Sequence, residues 1–334
     1  MTNLAKETSQ VDKPLSRKDY QTDLEVRWCP GCGDYAILAQ FQKLLAAIGA
    51  RKAEHVVVSG IGCSSRFPYY IDTYGLHGIH GRAPAVATGL KAVNPDLTVW
   101  VVTGDGDGLS IGGNQLLHAL RRNVDIKILL FNNEVYGLTK GQHSPTSPEG
   151  QRSRSNPDGN TDRPVDPVSL ALAAGATLVA RAVDTDAAHL QGVLRAAADH
   201  RGAAFVEILQ NCPIFNDTPF EAMKFEDRRL YLEDGAPMLF GDQALSLDRD
   251  TLTLRAASTA ETAEPLVHDR RSKALARVLA EAADPSLPTP LGVLYAEDRP
   301  VHHELMRAQV QPRESGGLGR LQDRLASGPT WRVS

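Results

Sequence analysis

Long hydrophobic runs are absent from this chain. No apolar segment among its 334 residues approaches the about 20 residues that a helix needs to cross a bilayer. The N-terminal stretch is polar and lacks the apolar centre of a secretory leader. Long basic runs are also missing, and the formal net charge is only -4. We therefore expect a cytoplasmic protein that binds neither nucleic acid nor an anionic membrane surface.

Cysteine is scarce, and the four that occur are Cys29, Cys32, Cys63 and Cys212. A reducing cytosol disfavours disulfides, which leaves metal ligands or catalytic groups as the more natural roles. The Cys29–Cys32 spacing also occurs in redox-active dithiols, but no thioredoxin-like context surrounds it and two thiols would have no role. A zinc site, an iron–sulfur cluster and unrelated buried cysteines all remain open from the residues alone.

The clearest pattern in the chain is a strand, a helix and a second strand between residues 98 and 142. The apolar run 98–103 predicts a strand buried on both faces, and it leads into Gly-Asp-Gly-Asp-Gly. Residues 110–122 have helical character, and the run 126–131 predicts a second strand, followed by two asparagines. Parallel strands joined by a right-handed crossover bring their carboxyl ends together. We therefore expect Asp105 and Asn133 to lie close to each other.

This predicted edge suits a phosphate-bearing cofactor that is held through a metal ion. Glycines let the backbone approach a phosphate, and a helix N-terminus offers free N–H groups. A carboxylate and an amide oxygen are hard ligands of the kind that Mg²⁺ prefers. The pattern resembles the thiamine diphosphate motif, in which the matching metal ligands are Asp105, the Asn133 side chain and the backbone oxygen of Val135.

The rest of the chain predicts an α/β fold, with a mainly parallel, doubly wound sheet and helices on both faces. We divide it into an N-terminal arm (1–24), a cofactor-binding domain (25–220) and an extended C-terminal tail (221–334) that packs on a partner subunit. The polar segment 144–163 is expected to form a flap over the site or a docking loop. Further strands are predicted at 55–59, 177–180, 204–209 and 290–295, and helices at 35–48, 83–93, 167–174 and 186–201.

Six motifs occur in the order WCPGCG, GIGCSSR, HGRA, GDGD, NNEVYGLTKGQHSPT and NCP. Together they resemble the β subunit of 2-oxoacid:ferredoxin oxidoreductases, most closely the 2-oxoglutarate type, over roughly residues 20–220. The resemblance implies thiamine diphosphate, Mg²⁺ and one [4Fe–4S] cluster bound by all four cysteines. It also implies a reversible reaction in which a 2-oxoacid, coenzyme A and two oxidised ferredoxins give acyl-CoA, CO₂ and two reduced ferredoxins. With 2-oxoglutarate the product is succinyl-CoA.

The resemblance also assigns site residues. For the choice of 2-oxoacid it points to Leu138 and Lys140, and Arg66 and His80 are further catalytic candidates. The Lys140 ammonium would pair with the distal carboxylate of 2-oxoglutarate, or it would simply neutralise diphosphate charge. From the residues alone, Asp107 is also a candidate helix cap. The expected cofactor-binding residues are Ile61, Gly62, Cys63, Ser64, Ser65, His80, Gly104, Asp105, Gly106, Asp107, Asn133, Val135, Gly137, Leu138 and Thr139.

The implied enzyme is incomplete without a partner. In this family the α subunit supplies the glutamate that activates the cofactor and contributes to the coenzyme A site. We therefore expect an inactive isolated chain and a heterodimer, or a dimer of heterodimers, that reduces ferredoxin. A pyruvate or broad-range enzyme is the alternative within the family. Rivals from other classes are a non-redox thiamine diphosphate decarboxylase fragment and a zinc-stabilised binding protein.

Overall fold

The computed structural model describes residues 15–248, 250–258, 265–282 and 286–315, together with 323, 325, 327–329 and 331–332. Its strands are β1 (His55–Ser59), β2 (Tyr74–His77), β3 (Thr98–Gly104), β4 (Lys127–Asn132), β5 (Leu178–Val183), β6 (Ala204–Leu209), β7 (Arg229–Leu232), β8 (Leu239–Phe240), β9 (Gln243–Leu247), β10 (Leu254–Ser258) and β11 (Thr289–Ala296). Its α-helices are α1 (Asp34–Ala47), α2 (Ala83–Val93), α3 (Gly113–Arg121), α4 (Pro167–Ala174), α5 (Ala187–Asp199), α6 (Lys273–Ala280) and α7 (His302–Ser315).

One large sheet organises the fold, with the strand order β2-β1-β3-β4-β6-β5-β11-β7. The six strands from β2 to β5 in this order run parallel to one another. Strand β11 is antiparallel to β5 and parallel to β7. The predicted mainly parallel α/β fold is therefore confirmed. Strands β8, β9 and β10 form a separate antiparallel sheet.

Helices cover both faces of the large sheet, as the apolar strands require. Successive side chains of β3 point to opposite faces, so Val99 and Val101 enter one core while Trp100 and Val102 enter the other. The first core contains apolar side chains of α2, α3, α4 and α6. The second contains those of α1 and α5. This doubly wound arrangement leaves the carboxyl edge of the strands free to carry a site.

The C-terminal region departs from the predicted division at residue 220. Strand β11 pairs with β5, and β7 in turn pairs with β11, so both belong to the main sheet. Helix α6 places Ala276 and Leu279 in the same core as α3 and α4. The local pattern showed short apolar clusters but not their distant pairing partners, which is why the boundary was misplaced. Packing of the later residues on a partner subunit stays a prediction.

Two other segments differ from the expected pattern or fall outside it. Residues 1–14 of the predicted arm lie outside the described residues, whereas Tyr20 is fully buried in the second core. The stretch after Arg66, for which no strand was predicted, contains β2, an exposed strand at the edge of the sheet. Among the described residues, no helix combines the length and the apolar character needed to cross a membrane.

Candidate functional site

The carboxyl ends of β3 and β4 form the floor of a cavity. These strands are neighbours, with Gly104 paired to Phe131, so the loops that begin at Asp105 and Asn133 leave the sheet side by side. The cavity contains about 610 Å³ of empty space, part of it open to solvent. Its lining includes every predicted cofactor-binding residue except Ser65. It is lined by Ile61, Gly62, Cys63, Ser64, His80, Gly104, Asp105, Gly106, Asp107, Phe131, Asn133, Val135, Tyr136, Gly137, Leu138, Thr139 and Gln210.

Asp105 is a buried carboxylate, with only 3% of its surface exposed. Burial raises its pKa to about 6, and hydrogen bonds from Ser144 and Thr146 oppose that rise. The Thr146 hydroxyl donates to Asp105 Oδ2 at 2.7 Å. Asp105 forms no ion pair with any residue that the structure describes. A cation beside it would therefore relieve the cost of its burial, which fits a metal ligand.

Glu134 adds negative potential at the same edge. Burial, followed by the charges of Asp105 and Glu207, raises its pKa to about 7. Its backbone has φ 55°, the left-handed region that non-glycine residues rarely occupy. Such conformations cluster at functional sites, where the surrounding structure enforces them. The two carboxyl groups of Asp105 and Glu134 thus make this edge favourable for a divalent cation.

The two adjacent asparagines have different roles. Asn132 ends β4, and its Nδ2 donates to Glu207 Oε1 at 2.8 Å inside the sheet. Asn133 lines the cavity, and its Oδ1 accepts from the backbone N–H of Val135 at 3.3 Å. This local turn sets the course of the backbone at Val135, which also lines the cavity. Asn132 therefore supports the site from within the fold, and Asn133 is the asparagine available to a ligand.

Thr146 is a supporting residue that sequence reasoning did not identify. It belongs to the segment predicted as a flap, yet Ser144, Thr146 and Ser147 are buried. The Ser147 hydroxyl donates to the carbonyl of Glu134 at 2.7 Å, and Asn160 Nδ2 donates to the carbonyl of Ser147 at 2.9 Å. The start of this segment thus packs under the cavity. Its only sequence signal was the hydroxyl-rich end of the NNEVYGLTKGQHSPT motif.

The cysteine loops meet the same rim. A Cβ atom built on Gly137 would lie 3.5 Å from Cys212 Sγ and 3.8 Å from Cys63 Sγ. Gly137 and Cys63 both line the cavity. Cys212 exchanges two backbone hydrogen bonds with Asn216, whose Nδ2 donates to the carbonyl of Asn133 at 3.0 Å. The loop that carries Cys212 is therefore bonded directly to the loop that carries Asn133.

The thiols influence one another. Burial, then the charge of Asp34, raises the pKa of the Cys63 thiol to about 12, and Cys212 and Cys29 contribute to the rise. Burial likewise raises the pKa of Cys32, with contributions from Cys63 and Cys212. Thiols in this environment form thiolates only when a positive centre binds them. Within the described part of the chain, no three His, Cys, Asp or Glu side chains lie close enough together to hold a single ion.

The substrate candidates occupy different places. Leu138 lines the cavity and is 49% exposed, at its mouth. Lys140 is exposed on the turn that follows, where its φ of 80° is unusual for a residue with a side chain. His80 lines the cavity wall. Arg66 instead lines a separate outer groove, so the structure does not bring it to the cavity.

Three cavity residues were not predicted from the sequence. Phe131, Tyr136 and Gln210 line the cavity, and Tyr136 donates from its hydroxyl to the carbonyl of Gly106 at 3.0 Å. Gln210 is 2% exposed, and its Oε1 has no hydrogen-bond partner in the described structure. Both Tyr136 and Gln210 lie within or beside the quoted motifs, so their positions were visible but their orientations were not.

Comparison with known families places a cofactor-binding unit over this site. Residues 60–208 match the model of the thiamine pyrophosphate enzyme C-terminal TPP-binding domain. The matched range contains the cavity loops from Ile61 to Thr139 and the strands β3 to β6 beneath them. It begins after Cys29 and Cys32 and ends before Gln210 and Cys212, so the family model does not cover three of the four cysteines.

Individual relatives extend the similarity to nearly the whole chain. The chain is 51% identical over 335 residues to the 2-oxoglutarate oxidoreductase subunit KorB of Mycobacterium tuberculosis, covering 97% of this chain and 90% of that relative. It is 48% identical over 215 residues to 2-oxoacid:ferredoxin oxidoreductase 1, subunit beta, of Aeropyrum pernix, covering 64% and 67%. A solved 2-oxoglutarate:ferredoxin oxidoreductase from Magnetococcus marinus is similar with a TM-score of 0.76 at 33% identity, covering 94% of this chain and 95% of that one.

Proposed function

The chain belongs to the family of 2-oxoacid:ferredoxin oxidoreductase β subunits, and from that membership we propose that it is the cofactor-binding subunit of an enzyme that oxidises 2-oxoglutarate. The enzyme converts 2-oxoglutarate, coenzyme A and two oxidised ferredoxins into succinyl-CoA, CO₂ and two reduced ferredoxins. The supporting observation is the shared rim, where the Asn216 side chain joins the Cys212 loop to the Asn133 loop at 3.0 Å. Decarboxylation in the cavity can pass electrons to a cluster only if the cysteines lie this close to the cavity.

Thiamine diphosphate binds through Mg²⁺ at the edge formed by β3 and β4. Asp105, Asn133 and the carbonyl of Val135 would provide hard oxygen ligands for the metal ion. The fit is carried by the buried carboxylate of Asp105, which has no cation partner among the described residues and a pKa raised to about 6 by burial. Gly104 leaves the backbone open to the diphosphate, whereas Gly106 makes room for the Tyr136 ring, with which a Cβ there would clash.

The four cysteines hold one [4Fe–4S] cluster beside this cavity. The Cys63 and Cys212 sulfurs flank the space beside Gly137. Four thiolates are the ligand set of a [4Fe–4S] cluster, and a cluster at this rim would accept electrons from the cavity, which zinc could not do. The indole N–H of Trp28 donates to the carbonyl of Cys63 at 2.7 Å and fixes this loop against the Cys29 turn.

The chain's own residues orient and shield the reaction. Bound thiamine diphosphate supplies the electron sink for the carbon that loses CO₂. The metal ligands fix its diphosphate end, and Tyr136, held by its hydrogen bond to Gly106, forms part of the wall. Phe131 and Leu138 give that wall apolar character, which excludes water from the reacting centre. Cys63 belongs both to the cavity and to the cluster ligands, so the route for electrons out of the cavity is short.

Lys140 selects the dicarboxylate substrate. Lys140 is exposed on the turn two residues after Leu138, which lines the cavity, and its ammonium would pair with the distal carboxylate of 2-oxoglutarate. The left-handed backbone at Lys140 is costly for any residue except glycine or asparagine, which indicates that the side chain is retained for a reason. A charge-assisted hydrogen bond here discriminates against pyruvate, which lacks a distal carboxylate.

The α subunit completes the enzyme by covering the open side of the cavity. It supplies the activating glutamate and part of the coenzyme A site, and the isolated chain is therefore inactive. The β subunit assembles with it as a heterodimer or a dimer of heterodimers in the cytoplasm. A pyruvate or broad-range activity is the second candidate, because Leu138 is equally compatible with a shorter side chain on the substrate.

The decisive experiment is anaerobic co-purification with the α subunit, followed by ferredoxin reduction assays on a panel of 2-oxoacids. We expect coenzyme A-dependent turnover with 2-oxoglutarate, and about four irons per β chain. Zinc in place of iron would favour the structural binding protein, and decarboxylation without iron would favour the non-redox enzyme. Turnover by the isolated chain would contradict the need for a partner.

Two substitutions separate the parts of this proposal. Asp105→Asn should abolish retention of Mg²⁺ and thiamine diphosphate while the visible absorbance of the cluster persists. Lys140→Asn, which tolerates the left-handed backbone, should lower kcat/KM for 2-oxoglutarate by between about 10- and 100-fold, as expected for a hydrogen bond to a charged group. Lys140→Arg is the control that keeps the charge. An equal loss with pyruvate would remove Lys140 from substrate selection.

A further inference from the structure

The carboxylate of Asp107 accepts hydrogen bonds from four groups of the protein itself. Its Oδ1 accepts from His80 Nδ1 at 2.6 Å, Gly81 N at 2.7 Å and Ile61 N at 3.0 Å. Its Oδ2 accepts from the Thr103 hydroxyl at 2.6 Å. Asp107 therefore joins three loops through its carboxylate, and its side chain does not cap the following helical turn.

The backbone around this carboxylate is closely fitted to it. A Cβ on Gly60 would lie 2.2 Å from Asp107 Oδ2, so no side chain is possible at that position. Gly81 has φ 70°, and a Cβ there would lie 2.5 Å from the backbone nitrogen of Gly112. The loop after β1, the turn before α2 and the helical turn after β3 thus meet at one buried group. This packing fixes His80 on the cavity wall.

Only one ring nitrogen of His80 is available to a ligand. Asp107 Oδ1 accepts from two backbone N–H groups as well, so it is an acceptor, and Nδ1 must carry the proton that it receives. The imidazole lines the cavity, its side chain is 36% exposed, and no described residue hydrogen-bonds to Nε2. The Tyr136 ring meets it edge to face, with centroids 6.4 Å apart.

Resting on the proposed function, we propose that His80 is a catalytic proton carrier for the 2-oxoacid and that Asp107 is its positioning residue. As the carbonyl π pair of the 2-oxoacid moves to oxygen, that oxygen takes a proton from water in the cavity. When the carbonyl re-forms in the thioester, its oxygen releases that proton to Nε2, which carries none in this tautomer. His80 passes the proton back to water and ends unchanged, and the two electrons leave for ferredoxin as in the overall reaction. A positioned carboxylate–histidine pair is suited to this exchange.

The first test reads the proton on the ring directly. Histidine labelled with ¹⁵N is introduced into the chain, and the His80 resonances among the ten histidines are assigned by their loss in His80→Gln. We expect a shift typical of protonated Nδ1, whether or not cofactor is bound. A His80 ring protonated only on Nε2 would overturn the arrangement. This measurement does not depend on turnover, so it stands even where the proposed function fails.

The second test uses the complete αβ enzyme. His80→Leu and His80→Gln should each lower kcat by about 100-fold or more, because glutamine offers an N–H but cannot exchange a proton at neutral pH. Affinity for thiamine diphosphate should stay within a few-fold of the wild type. Full activity in His80→Gln would reduce the role to a hydrogen bond. A parallel loss of cofactor affinity would assign His80 to the diphosphate, and either result refutes the proposal.

The positioning role of Asp107 is tested in two backgrounds. Asp107→Asn retains an acceptor for the three N–H donors, and the Thr103 hydroxyl can turn to accept from the new amide. It should fold and lower kcat by about tenfold, because the negative charge opposite the imidazole is lost. In the His80→Leu background the same substitution should have no further effect on kcat. An equal loss in both backgrounds would show that Asp107 acts on the fold and not through His80.

Discussion

Replacing Arg181 with methionine tests a row of buried, hydrogen-bonded polar side chains inside the sheet. The row leads from Arg181 through Glu207 to Asn132 and supports the cavity edge at the end of β4. Arg181 Nε donates to Glu207 Oε2 at 2.6 Å, and Nη2 donates to Asp166 Oδ2 at 3.2 Å. The Arg181 and Glu207 side chains are only 9% and 2% exposed. The other oxygen of Glu207 accepts from Asn132 at 2.8 Å. The guanidinium is therefore the main compensation for a carboxylate buried between strands.

Methionine keeps the length and apolar stem of Arg181 but removes its charge, so Glu207 is left with one neutral donor. Breaking a buried ion pair in this way costs about 3–5 kcal/mol. The exposed fraction is too small for solvent to offset the loss, and we expect the free energy of unfolding to fall by about 4 kcal/mol. Urea unfolding of the anaerobically prepared chain at neutral pH measures this quantity.

A double variant supplies the control. Arg181→Met combined with Glu207→Gln leaves no fully buried uncompensated charge, because the remaining Asp166 side chain is 38% exposed, and we expect it to recover about half or more of the lost stability. Cofactor affinity should fall in the single variant as well, because Glu207 orients Asn132 at the end of β4. A loss below about 1 kcal/mol, or simple additivity of the two changes, would refute the claim that this pair is a buried, mutually compensating unit.

Three further predictions follow from other parts of the structure. Burial alone would raise the pKa of Asp125. The positive charges of Lys127 and Lys91 outweigh this effect and lower the pKa of Asp125 to about 2. The ionised carboxylate therefore stabilises the fold above pH 4, and Asp125→Asn should lower the free energy of unfolding by about 2 kcal/mol at pH 6. The difference between the two proteins should shrink as the pH falls from 4 to 2. Urea titrations at a series of acidic pH values would measure it. Thr146→Val should weaken Mg²⁺ binding about tenfold, as measured by calorimetry, whereas Thr146→Ser should retain it, because the hydroxyl orients Asp105. Equal Mg²⁺ affinities of the two variants would disprove this role of the hydroxyl. Gly137→Ala should leave stability unchanged, because the added methyl makes only ordinary contacts with two sulfurs. It should lower the iron content, because the methyl occupies the space between those sulfurs. A full complement of iron would contradict the cluster's location.

The fold was predictable where a strand is buried on both faces. The apolar runs that became β1, β3, β4 and β6 were located within a residue or so of their observed ends, because only a central parallel strand needs such continuous hydrophobicity. The edge strand β2 was not predicted, since its four residues are all exposed and carry no alternation. Strand β11 was predicted at 290–295, but its place in the main sheet was not, and β7 was not predicted at all. Their stability comes from pairing with β5 and with each other, which no local pattern reveals.

The candidate site was predictable at the level of loops and not of side-chain partners. Chain topology alone brought Asp105 and Asn133 to one edge, because both follow neighbouring parallel strands. The roles of Thr146 and Asp107 were inaccessible, because each depends on a hydrogen bond to a distant loop. Arg66 shows the opposite case, in which a residue was placed at the cavity because of its position in the sequence. It follows a cavity loop closely in sequence, but its side chain lines an outer groove.

Buried polar side chains hold the segment 144–163, predicted as a flap or a docking loop, near both of its ends. The Thr146 hydroxyl lies 2.7 Å from Asp105 Oδ2 and 2.9 Å from Asn132 Oδ1 and shares its one proton between them. Hydrogen bonds continue from Asn132 to Glu207, Arg181 and Asp166. Thr146 lies near the start of the segment and Asp166 just after its end, so both are tied to β4, β6 and β5. Lifting either end would expose buried groups that each cost about 1–3 kcal/mol to leave unpaired. We therefore expect substrate to enter past Leu138 and the exposed turn at Lys140, on the side that the partner subunit is expected to complete.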